Sequence, residues 1–67
     1  MSSVQPLACL CCNAPVINVR GAYEVCPICG WEDDPVQAKD PDFTGGANRM
    51  SLSQARSDWR ARQGSAD

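Results

Sequence analysis

Residues 8–13 read ACLCCN and residues 26–30 read CPICG, and between them they hold all five cysteines of the chain. Aligned on the outer cysteines, Cys9 matches Cys26, Cys12 matches Cys29, and Cys11 falls opposite Ile28. The residue behind the second cysteine is Asn13 in one cluster and Gly30 in the other. A C-x-x-C knuckle folds tightly round an ion, and the residue after it is often left-handed. Gly adopts that conformation freely, and Asn is one of the few other residues that tolerate it. Ligation by Cys9 and Cys11 would shorten the pair to C-x-C and leave Cys12 in the turn position. The spacing therefore assigns Cys9, Cys12, Cys26 and Cys29 as metal ligands.

Four thiolates suit a zinc ion in a closed tetrahedron with bonds of about 2.3 Å. Iron in the same cage is chemically sound, so electron transfer of the rubredoxin type is an alternative, although no other residue points to it. A closed four-thiolate site keeps no position for substrate or water, which makes it structural rather than catalytic. The chain has no histidine, so a Cys/His finger and imidazole catalysis are excluded. The expected protein is not an enzyme.

A staple of this kind is needed. A chain of 67 residues is below the roughly 70–80 at which a core alone suffices, and domains of this size bury only about 60% of their unfolded surface. Two Trp, one Tyr and one Phe are a thin supply of large core residues. The N-terminal MSSVQPLAC has no basic stretch followed by an apolar one, and no segment approaches the ~20 apolar residues of a membrane span. The expected location is a reducing cytoplasm, where paired C-x-x-C reads as metal-binding rather than as disulfide.

Between the knuckles, Val16, Ile17, Val19, Tyr23 and Val25 are strand formers around Gly21. An odd loop over Arg20–Ala22 would pair Val19 with Tyr23 and Ile17 with Val25 on one apolar face, so a hairpin joining the knuckles is expected. Residues 31–50 read as an acidic loop, with room for a helical turn around Pro35–Lys39 and with Trp31 and Phe43 pinning it to the core. Ser51 stands three residues before Gln54 as in a capping box, and Met50 is placed to staple onto Ala55. Leu52, Ala55 and Trp59 form an apolar stripe, which predicts a helix over 52–63 that stops at Gly64. The outcome is a small metal-stabilised α+β domain, zinc-ribbon-like, over 8–64, with tails at 1–7 and 65–67.

The strings CLCC (9–12), YEVCPICGWEDD (23–34), Gln37 and DPDFTGGANRMSLSQAR (40–56) resemble the bacterial cysteine-rich CPCC family. The resemblance runs over nearly the whole chain and implies a cysteine-rich, zinc-ribbon-like fold, with no activity attached. Leu10 stands where the family has Pro, which loosens the first knuckle but removes no ligand.

Charge is divided along the chain. From Glu24 to Asp42 the acids Glu24, Glu32, Asp33, Asp34, Asp40 and Asp42 are set against Lys39 alone, whereas from Arg49 to Arg62 the cations Arg49, Arg56, Arg60 and Arg62 are set against Asp58 alone. Glu32, Asp33, Asp34, Asp40 and Asp42 are the candidate partner-binding acids, weighed against a solvated or helix-capping role. The arginines make a nucleic-acid-binding ribbon an alternative, although the net charge of −2 speaks against it. GGAN (45–48) lacks the Lys and Ser/Thr of a phosphate loop and reads as a turn that positions the helix. Cys11 reads as a small buried space-filler or an occasional alternative ligand, since the nearest cation in sequence is Arg20. The expected function is a non-enzymatic, zinc-binding module for a protein partner, for example a small inhibitor or immunity-type protein. No membrane partner is expected.

Overall fold

Two near-identical turns organise the chain. In the computed structural model, which describes residues 6–64, the Cys9 N–H donates to the Ala14 carbonyl (2.8 Å) and the Asn13 N–H to the Cys9 carbonyl (2.8 Å). The second knuckle repeats this with Cys26 to Trp31 (2.9 Å) and Gly30 to Cys26 (2.8 Å). Asn13 and Gly30 both lie in the left-handed region, at φ 70° and 85°. The match of the two clusters in sequence is thus a match of backbone.

Each turn brings its own flanks together, and this decides the strand pairing. Strands β1 (Leu7–Ala8) and β2 (Pro15–Ile17) form a two-stranded antiparallel sheet across the first knuckle, with Leu7 opposite Ile17 and an irregularity that sets Ala8 opposite Pro15. Val25 and Glu32 make the equivalent antiparallel bridge across the second. The hairpin expected between the knuckles does not form. Val19, Tyr23 and Val25 are more than half exposed, and the apolar face they would have shared is absent. The Glu24 carboxylate instead accepts the N–H groups of Asn18 (2.9 Å) and Val19 (2.7 Å), so a side chain rather than a backbone ladder ties these residues to residue 24. Leu7, expected in a tail, belongs to β1; residues 1–5 and 65–67 of the expected tails lie outside the described residues.

The acidic stretch contains helix α1 (Pro35–Lys39), where the expected helical turn stands. Asp34 caps it, its carboxylate accepting from Val36 (2.8 Å) and Gln37 (3.4 Å), and Pro35 occupies the first turn, where a missing N–H costs nothing. Helix α2 (Leu52–Gly64) begins behind Ser51, whose Oγ accepts the Gln54 N–H at 3.1 Å. The return half of the expected capping box is missing, because the Gln54 side chain turns forward to Asp58 (3.0 Å). Gly64 is the last helical residue rather than a stop beyond the helix.

The core consists of Cys9, Ile17, Cys26, Trp31, Leu52 and Ala55, with Leu10, Cys11, Cys12, Val16 and Cys29 packed against it. Sulfur is therefore a large part of the interior. Trp31 is buried as expected, but Phe43 is exposed and folds over Gly45; Met50 is likewise exposed and lines one groove with Ala55. No helix among the described residues is long and apolar enough to cross a membrane.

Candidate metal centre

The two knuckles face each other and bring Cys9, Cys12, Cys26 and Cys29 into one cluster, with all four sulfurs within 4.8 Å of one another. Cys9 Sγ is 3.6 Å from Cys29 Sγ, and Cys12 Sγ is 3.7 Å from Cys26 Sγ. A tetrahedron with metal–sulfur bonds of about 2.3 Å has edges of about 3.8 Å. The sulfurs are far beyond the ~2.05 Å of a disulfide, and all five cysteines are free thiols. These four residues can hold one metal ion in a tetrahedral site.

The electrostatics suit a cation. Burial pushes the thiols of Cys12 and Cys29 up from their usual range, because charging four adjacent sulfurs in a dry site is unfavourable. Cys26 differs: burial opposes its thiolate too, but the backbone N–H groups of Cys29 and Ile28 and the neighbouring thiols hold it at about 7. The Ile28 N–H lies 3.3 Å from Cys26 Sγ, a knuckle bond that stabilises sulfur charge. A metal cation held by the four sulfurs would supply the remaining compensation.

Cys11 stays outside the cluster of four, but it is not the buried equivalent of Ile28. It is half-buried, and with Cys29 it lines an open groove of about 300 Å³. Trp31, Asn48, Met50 and Trp59 form other walls of that groove. Burial raises the Cys11 thiol, opposed by its contact with Cys29 and by Arg56, a cation that tertiary folding brings from 45 residues away in sequence.

The five candidate partner-binding acids separate into distinct roles. Asp33 and Asp34 are buried, and thus are not part of an acidic face. Asp33 pairs with Arg20 and accepts the Gly21 N–H at 2.6 Å, while Arg20 also donates to the Ala8 carbonyl. Arg20 so clamps the strand of the first knuckle to the flank of the second. Asp34, besides capping α1, accepts the Ala47 N–H at 2.7 Å, and these bonds hold its carboxyl below the usual range. Glu32 is half-buried, its backbone engaged by Asn48; Asp40 and Asp42 are exposed.

The residue that sequence reasoning missed is Gln37. It is fully buried, donates to the carbonyls of Phe43 and Met50 (both 3.0 Å) and accepts from the Asn48 backbone (3.1 Å) and side chain (2.8 Å). Asn48 in turn pairs with both backbone groups of Glu32 at 2.9 Å, completing the open edge of the second ladder. Gly46 lies so close to the Gln37 side chain that a Cβ would meet it at 2.7 Å. GGAN is therefore the docking surface for Asp34 and Gln37, and it sets the start of α2. The one signal of this in the sequence is the single Gln between WEDD and DPD. Arg56 Nε donates to the Leu10 carbonyl at 2.7 Å, which ties α2 to the first knuckle. Arg62 lies over the Trp59 ring, 6.0 Å from its centroid.

A duplicated knuckle, four converging sulfurs and a helix strapped to the first knuckle define a small cysteine-rich protein built round a potential metal centre. The cysteine-rich CPCC profile matches residues 7–66, and the chain belongs to that family. No curated protein matches the chain.

Proposed function

We propose that this protein is a zinc-binding, non-enzymatic module that engages a protein partner in the cytoplasm. The observation that carries the reading is the sulfur spacing, which fits a tetrahedral ion with no position left over for a substrate. Zinc is favoured over iron because the ion's task here is to hold two halves of a small chain together. The groove walled by Trp31, Met50 and Trp59 and the exposed acids Asp40 and Asp42 suit a basic protein surface with an apolar anchor. An inhibitor or immunity-type protein is one form this would take.

Elemental analysis of the purified protein should find one zinc per chain and no colour. Red protein containing iron would replace zinc with the rubredoxin-type alternative. Pull-down from the host should return a specific protein that the double charge reversal Asp40→Lys and Asp42→Lys releases. Recovery of no specific protein, or of nucleic acid released by salt, would sink the protein-partner reading.

A further inference from the structure

We propose that Cys11 is the resolving thiol of an oxidation site at Cys29, through which peroxide releases the metal reversibly. This inference rests on the zinc-centre reading above. Of the four cluster cysteines, Cys9 and Cys26 are buried, and Cys29 alone lines the open groove. Cys11 lines the same groove, so a small oxidant entering it meets a ligand sulfur and a spare thiol together. The spare thiol comes from the opposite knuckle and lies outside the cluster of four, so it can leave its place without costing the ion a ligand. Cys12, the other half-buried ligand, does not line this groove.

The chemistry closes with hydrogen peroxide as the named oxidant. The Cys29 thiolate attacks one peroxide oxygen, the O–O bond breaks, and the departing hydroxide takes a proton from solvent to become water. Cys29 is now a sulfenic acid and a poor ligand. The Cys11 sulfur then attacks the Cys29 sulfur, the S–O bond breaks, and the leaving hydroxide carries off the Cys11 proton as a second water. One peroxide is reduced to two waters, two cysteines are oxidised to one disulfide, and zinc keeps its charge but loses one of four ligands. Without Cys11 the sulfenic acid has no nearby spare thiol, and a second peroxide, reduced to water, carries it on to the irreversible sulfinic acid.

The test takes the zinc-loaded full chain, with its zinc content measured first, and adds two equivalents of hydrogen peroxide, the amount a sulfinic acid requires. Released zinc is followed with a chromogenic chelator, and disulfides are mapped by non-reducing peptide mass spectrometry. Expected is zinc release in step with a Cys11–Cys29 disulfide, and near-complete recovery of bound zinc on adding a thiol reductant. Cys11→Ala should load zinc equally, yet recover less than about a fifth of it after oxidation, with two oxygens added at Cys29. A disulfide between other cysteines, or equal recovery in the variant, overturns the proposal while zinc binding stands. Absence of zinc before oxidation overturns the zinc reading itself, and the inference with it. The wild-type disulfide map decides the matter even if the variant fails to fold.

Discussion

Asn13 and Gly30 occupy the same place in the two knuckles, and both adopt positive φ. Glycine does so without strain, while asparagine gives up about 1 kcal/mol for carrying a side chain there. Function at this scale separates cysteines that look alike in sequence. Cys9 is buried in the core and belongs to the sulfur cluster, whereas Cys11 lies one position from a ligand and faces the groove. Cys9→Ser should abolish cooperative thermal unfolding of the zinc-treated protein. Cys11→Ser should lower stability by less than about 1 kcal/mol, since it removes neither a ligand nor a fully buried group. Circular dichroism melts of both variants check this, and equal damage would overturn the ligand assignment. The cluster of four is legible in the sequence because the repeated C-x-x-C spacing is local and recurs in both halves.

Elements are legible where one local signal governs them. Asp34 followed by Pro35 starts α1, and Ser51 with Gln54 three residues later starts α2, because capping is settled within one turn of chain. Strand pairing is not legible, since alternation in VINVRGAYEV is compatible with more than one partner. The Glu24 carboxylate takes the N–H groups of Asn18 and Val19, and the segments that pair are the flanks each knuckle turn brings together. The loop between α1 and α2 is likewise held by a residue whose burial no local pattern signals. Gln37→Leu would leave the carbonyls of Phe43 and Met50 without their donor, at a cost of about 2–4 kcal/mol. The thermal midpoint of the zinc-loaded variant should fall by roughly 10 °C or more. An unchanged midpoint would mean that this loop does not help hold the fold. Apolar replacement is the informative choice, because it keeps volume and removes only the hydrogen bonds.

For the molecule as a whole, the core and the sulfur cluster are largely the same object, since Cys9 and Cys26 are members of both. A metal held there would make binding and folding one equilibrium, so a strong chelator should abolish cooperative unfolding and flatten the near-ultraviolet signal of Trp31. Retention of both would show that the core stands without the ion. The pH dependence has a definite sign. In the metal-free chain Cys12 and Cys29 carry protons at neutral pH: burial raises them if the chain is folded, and a thiol titrates near 8.5 if it is not. Metal entry expels those two protons, so apparent affinity should fall by about a hundredfold or more per pH unit on acidification. A competition titration at pH 6, 7 and 8 measures this, and an affinity independent of pH would argue against thiolate ligation.

Whatever is set within a few residues of chain can be read from the chain alone: the knuckles and their ligands, the left-handed positions behind them, the capped starts of both helices, and the family. What depends on which segments meet is fixed only on folding. Folding pairs strands across the knuckles, turns Asp33 and Asp34 inward to Arg20 and Ala47, buries Gln37 under GGAN, and brings Cys11, Cys29 and Arg56 together. The physical reason is that a buried polar group must find its partner wherever the fold supplies one, and spacing along the chain carries no record of that partner.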